Sequence, residues 1–226
     1  MNEIEVFTTF ASFVKSELKG VLSDLGVLYN WRKKDWRKTV EYRRSLSKEL
    51  NDANASLSER EEKLREFVKK WGGINSIGDE RIREFAEIEK AKDLVRKNKC
   101  IASSSKALSL WRPTEYFIYD SRVAIALHKM WGLCPEVKDL KCPFILCPSR
   151  SEKAKEVIAL LRKNDKARRV WKGREYKGFY FNWYIKLITE ISESYDKEYP
   201  EKVEMALFYC GGNEKYARKG SGCKKS

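Results

Sequence analysis

Lys106 and Asp120 are the two side chains of this sequence whose types and spacing promise chemistry. They lie 14 residues apart in the stretch Ile101 to Leu127, IASSSKALSLWRPTEYFIYDSRVAIAL. Ser103, Ser104 and Ser105 are helix-capping types, so the spacing predicts a short helix over Lys106 to Trp111 with Lys106 in its first turn. An ammonium is disfavoured at that end of a helix dipole. Arg112-Pro113 ends the helix, and Tyr116-Phe117-Ile118-Tyr119 reads as a buried apolar approach. Asp120 then caps a second helix from Ser121 to Met130, with Val123, Ala124 and Leu127 inward. An amine and a carboxylate thus stand at the mouths of two successive helices. Their side chains can converge on a single cleft. Taken singly, Asp120 is an ordinary cap and Lys106 an ordinary surface lysine.

The elements that must position this pair read as almost wholly helical. Gly 12 and Pro 5 are low for 226 residues, and Lys and Glu are abundant. Apolar periodicity marks a helix over residues 2–19, through Ile4, Phe7, Phe10, Ala11, Val14 and Leu18, with Gly20 and Gly26 as breaks. Residues 31–50 form a second helix, with Trp36, Val40 and Leu50 inward. Ser58-Glu59-Arg60-Glu61 reads as a capping box opening a helix that ends at Trp71, where Gly72-Gly73 supplies a left-handed stop. Further helices are expected over Asp79 to Asn98, Ser151 to Asn164 and Phe179 to Tyr195. A last one has Pro200 in its first turn and Gly211-Gly212 at its end. The expected architecture is all-α: one domain over residues 1–212, with 213–226 a frayed basic tail.

Charge narrows the partner. Lys+Arg is 47 against Asp+Glu 33, a net +14, in a chain with 7 Trp, 11 Tyr and 10 Phe. That aromatic content excludes a disordered chain. The excess falls in three windows: Trp31–Arg44 (net +5), Arg162–Lys177 (+6) and Asn213–Ser226 (+4). The first two interleave Trp31, Trp36, Tyr42, Trp171 and Tyr176 with the cations, a pattern that tracks phosphates and stacks bases. A polyanion is the expected partner, and nucleic acid foremost. No uncharged run exceeds nine residues (Val6–Val14), whereas a spanning helix needs about 20, so no membrane partner is expected. The first residues lack a basic n-region, so no secretory signal is expected, and the six Cys are expected reduced in a cytoplasm. Cys134, Cys142 and Cys147, at gaps of seven and four, match no zinc or iron–sulfur spacing, so no metal is expected. P-loop, Rossmann and nucleophile-elbow patterns are absent, and no cofactor is expected. His128, the single histidine, reads as a helix-face residue rather than a base.

The pattern S-K-A-x-x-L … P-x-x-Y-x-I-x-D-x-R-V-A-x-A-L, from Ser105 to Leu127, resembles the active-site segment of the helix-hairpin-helix DNA glycosylase superfamily, notably its 8-oxoguanine-glycosylase-like branch. Residues 180–212 are similar to the C-terminal part of small bacterial glycosylase-like proteins, some carried in phage-defence loci. Serines replace the family's hairpin glycines ahead of Lys106, and Arg122 stands where relatives often have His. The resemblance implies a two-lobed helical fold with a central cleft, acting as a monomer on double-stranded DNA. It implies base flipping, excision of a modified or damaged base (a hypermodified phage base among them), and catalysis by Lys106 and Asp120. Asp120 would stabilise the positive charge developing on the deoxyribose or orient a nucleophile. Lys106, if made neutral by burial and a neighbouring cation such as Arg122, would attack C1′; otherwise an Asp120-activated water would excise the base without a strand nick. Ser103, Ser104, Ser105, Arg122, Arg168, Arg169 and Lys172 are the expected DNA contacts. Trp111, Tyr116 and Tyr184 read as core, with Tyr119, Trp183 and Phe208 the candidates for a base pocket. The competing reading is a non-catalytic helical protein that binds DNA or RNA.

Overall fold

The computed structural model describes residues 1–30, 34–97, 99–149, 151–164 and 179–213. Ten α-helices and no β-strand occur among them, so the protein is all-α. α1 (Glu3–Leu28) opens with a reciprocal cap in which Glu5 N donates to Asn2 Oδ1 (3.0 Å) and Asn2 N to Glu5 Oε2 (2.9 Å). The helix runs straight through Gly20 and Gly26, the expected breaks. Its buried stripe continues past them as Val21, Leu22 and Leu25, while both glycines face open space. The apolar face therefore outweighs the roughly 1 kcal/mol that each glycine costs a helix interior.

α2 (Trp36–Leu50) is capped by Asp35, which accepts from Lys38 N at 2.8 Å. α3 (Leu57–Leu64) is capped by Ser56 with Glu59, two residues ahead of the expected box at Ser58. It then widens into a π-helical segment, Arg65–Trp71, which periodicity alone did not foretell. Gly73, at φ 70°, is the left-handed stop that the sequence predicts. The single helix expected over Asp79–Asn98 is instead two, α4 (Asp79–Phe85) and α5 (Ile88–Arg96). Phe85 and Ala91 are both buried, yet six residues on one straight helix leave them about 120° apart around the axis. The break at Ala86-Glu87 restores both to the core, and Trp111 Nε1 donates to the Phe85 carbonyl there (2.8 Å).

α6 (Ile101–Trp111) follows Cys100, the one non-glycine with positive φ among the described residues. α7 (Ser121–Leu133), α8 (Glu152–Asn164), α9 (Phe179–Tyr195) and α10 (Glu201–Gly212) complete the set. All the buried apolar residues except Ile125 and Ile158 form one cluster running from Val6 to Cys210. α10 packs on α7 most extensively and also touches α1, α9 and α2. That closeness depends on Gly211, where a Cβ would lie 1.8 Å from the Arg122 carbonyl oxygen. No described helix is long and apolar enough to cross a membrane.

Candidate functional site

Lys106 sits in the middle of α6, not in its first turn, because the helix begins at Ile101. The three serines ahead of it are helix-interior residues rather than caps. Ser103 Oγ donates to Cys100 O (2.9 Å), Ser104 Oγ to Lys99 O (3.3 Å) and Ser105 Oγ to Ala102 O (3.3 Å). All three are buried, so the expected phosphate contacts of Ser103, Ser104 and Ser105 have no accessible hydroxyl behind them. Short hydroxyl side chains satisfy themselves on preceding carbonyls when a helix starts early.

Lys106 is 5 % exposed. Its stem runs against Gly72, at the end of the π-helical segment: a Cβ there would lie 2.8 Å from Lys106 Cδ and 2.9 Å from Cε. The φ of Gly72 is −76°, open to any residue, so space and not backbone freedom demands the glycine. The Lys106 amine makes no hydrogen bond or ion pair with any described residue. Lysine is rarely this buried; here the stem is enclosed, while the amine is not among the fully buried nitrogens.

Asp120 is delivered by an extended run whose backbone is pinned by side chains from three helices. Ile118 N donates to Glu204 Oε2 (2.9 Å), and Tyr184 Oη donates to Ile118 O (2.7 Å). Tyr119 N donates to Ser105 Oγ (3.0 Å), one residue from Lys106. These bonds replace the ladder that an isolated extended segment lacks. Asp120 Oδ1 then accepts from Arg122 N (3.0 Å) and Val123 N (3.2 Å), the expected cap of α7. Both bonds use one oxygen; Oδ2 accepts none from the described residues.

Lys106 and Asp120 line the same pocket, of about 270 Å³. Tyr29, Trp71, Phe208 and Glu204 contribute to its walls. Trp71 is stacked on Phe67 (centroids 4.6 Å apart), and the Arg122 guanidinium lies 4.5 Å over the Phe208 ring. The volume lies at the small end of ligand sites, suited to one planar ring system between aromatic walls. Behind it, burial and then the Asp120 charge raise the Cys147 thiol pKa, while the Lys106 charge opposes. Burial, followed by Glu204, likewise lifts the Tyr29 phenol well above its usual range.

Glu204 is already engaged. Arg43 Nη1 donates to its two oxygens at 3.2 and 2.8 Å, and Arg44 is paired with Glu201 at 2.9 Å. Burial pushes the Glu204 carboxyl up, with Arg43 pulling the other way. Burial also works against the Arg43 charge, but Glu204 and Glu201 outweigh it and raise its pKa. Arg43 and Arg44, counted in the first basic window, are therefore internal struts. Trp36 and Tyr42 of the same window are packed too, Trp36 edge-on to Tyr199 and Tyr42 donating to Glu66 Oε1 (2.7 Å).

The remaining expectations divide cleanly. Phe208 and Arg122 are on the pocket. Tyr119 is not: fully buried, it donates to Ile145 O (2.8 Å) and packs on Tyr180 and Tyr184. Trp183 is not either; it meets Phe7 edge-on on the α1–α9 seam, and Nε1 donates to Glu3 Oε1 (3.3 Å). Both rings were needed by the core. His128 Nε2 lies 2.7 Å from Phe144 O inside the core. Arg168, Arg169, Lys172, Trp171 and Tyr176 lie outside the described residues, as does the tail beyond Asn213. Sequence reasoning missed Tyr29, Gly72 and Glu204. Glu204 did leave a signal, a carboxylate amid the apolar run Val203, Met205, Ala206 and Leu207.

No three His, Cys, Asp or Glu side chains are grouped to hold a metal among the described residues. Comparison with protein-family models, with curated proteins and with solved structures returns no match. The site thus stands on its own geometry: an all-helical protein with a largely buried lysine, unpaired among the described residues, and a capping carboxylate on one aromatic-walled pocket.

Proposed function

We propose that the protein is a DNA N-glycosylase that everts a modified or damaged base from double-stranded DNA into the Lys106–Asp120 pocket and excises it. The observation carrying this reading is Lys106: buried, without a partner among the described residues, and on the same pocket as Asp120. The net charge of +14 and the motif resemblance support DNA as the partner. The protein acts as a cytoplasmic monomer without a cofactor, and hypermodified phage bases are the substrates for a role in antiviral defence.

Eversion costs a few kcal/mol of stacking and pairing, least for a weakened base. As the glycosidic bond breaks, its electron pair leaves with the base and positive charge develops on the deoxyribose. Asp120, with one oxygen held by the α7 amides, stabilises that charge through the other. The Lys106 nitrogen attacks C1′, its proton passing to the departing base, and cleavage of the C1′–O4′ bond yields a Schiff base. Water in place of the amine gives a base-free site without a strand nick.

Incubation with phage or damaged DNA, followed by alkali, tests the reading. Strand breaks by the wild type that vanish with Asp120→Asn are expected. Borohydride is expected to trap a covalent complex with the wild type and not with Lys106→Gln. Base release without trapping assigns the attack to water. DNA binding without release from any substrate leaves the non-catalytic binder.

A further inference from the structure

A second pocket, of about 160 Å³, adjoins the first and shares Ser121, Arg122, Ser149 and Ser151 with it. Its own lining adds two cations, Lys129 from α7 and Lys153 from the first turn of α8, beside the apolar Ile125, Ala154 and Val157, with no Asp or Glu among its described lining residues. Arg122 stands between the two pockets. Its guanidinium lies over the Phe208 ring (4.5 Å), and its Nη1 would lie 3.6 Å from a Cβ on Gly212. Gly212 thus leaves room for a flat cation against the helix end. Lys129 is half-buried and makes no hydrogen bond or ion pair with a described residue, and burial pushes its pKa down. The α8 dipole adds its positive end, because Ser151, Lys153 and Ala154 all line the pocket.

We propose that this second pocket binds a phosphate group, gripped by Arg122, Lys129 and Lys153 and hydrogen-bonded by the surrounding serine hydroxyls. Three cations and three serines around a small hollow match a tetrahedral dianion or a phosphodiester, and Arg122 supplies the bidentate fork. On the DNA reading, on which only the source of the phosphate rests, the group is a backbone phosphate flanking the everted nucleotide. A shared arginine then couples base capture to backbone grip.

The test uses the full chain with a short fluorescein-labelled duplex of mixed sequence, and separately with inorganic phosphate. Lys129→Met keeps the apolar stem, Lys153→Gln alters an exposed side chain that carries the test if the first variant fails to fold, and Lys19→Gln on the outer face of α1 is the control. Anisotropy over roughly 50–200 mM salt should show each pocket variant binding about three- to tenfold more weakly, with a salt slope lower by about one, and the control unchanged. Inorganic phosphate should raise the Tm of the wild type, relative to chloride at equal ionic strength, and not that of the double variant. A phosphate-dependent Tm with an unaltered DNA slope makes the source a free phosphate or nucleotide and keeps the pocket. Slopes and Tm values indistinguishable from wild type in both arms overturn it. If the altered slopes are seen but no base is ever released, the glycosylase reading fails while this pocket stands.

Discussion

Arg43 on α2 and Lys106 on α6 are the two buried lysine or arginine side chains among the described residues, and their surroundings are opposite. Arg43 is met by Glu204 at 2.8 Å and Glu201 at 3.8 Å, so α2 and α10 are tied through a paired charge. Lys106 has Asp120 and Glu204 on the walls of its pocket, yet no described residue bonds to it. Burying an ion takes it out of water at a cost of several kcal/mol, repaid only by close partners. Around Arg43 that repayment is visible. Lys106 has no such partner among the described residues and instead lines a pocket that a substrate can enter.

The contrast can be broken first at its structural end. Arg43→Ala would strand Glu204 in the interior and lower unfolding free energy by about 3–5 kcal/mol in urea titration. A loss below about 1 kcal/mol would mean that the network is ornamental. Gly72→Ala comes next, at about 1–3 kcal/mol, because its methyl must displace the Lys106 stem or the Val68 carbonyl. Base release should fall with it although Gly72 carries no chemistry. Lys106→Met sharpens the comparison: stability within about 1 kcal/mol of wild type or higher, with activity abolished. A loss as large as that of Arg43→Ala would make Lys106 structural. Gly20→Ala, on the open face of α1, should raise stability by about 0.5–1 kcal/mol and leave base release intact.

Local chemistry was legible in the sequence, and long-range pairing was not. Asp120 as the α7 cap, the left-handed stop at Gly73, and the helices α9 and α10 follow from residue types a few positions apart. The start of α6 is not legible in the sequence, because serine serves equally as a cap or as a side chain bonded back onto its own helix. Arg43 and Glu204 stand 161 residues apart, so one looked like part of a phosphate-binding window and the other like an isolated acid in an apolar stripe. Tyr119 and Trp183 belong to the core although the sequence suggests a pocket, because a flat ring beside a motif has the same appearance in sequence whether it packs or binds. The role of Gly72 needed coordinates, since nothing near it in the chain announces a lysine from α6.

The most direct test of the Lys106–Asp120 pocket is mass spectrometry of bases released from a panel of phage and oxidatively damaged DNAs. The wild type should liberate at least one modified base, and Asp120→Asn and Lys106→Met should liberate none while retaining wild-type helical spectra. Release by both variants at the wild-type rate, or no release by the wild type across the panel, would contradict the account.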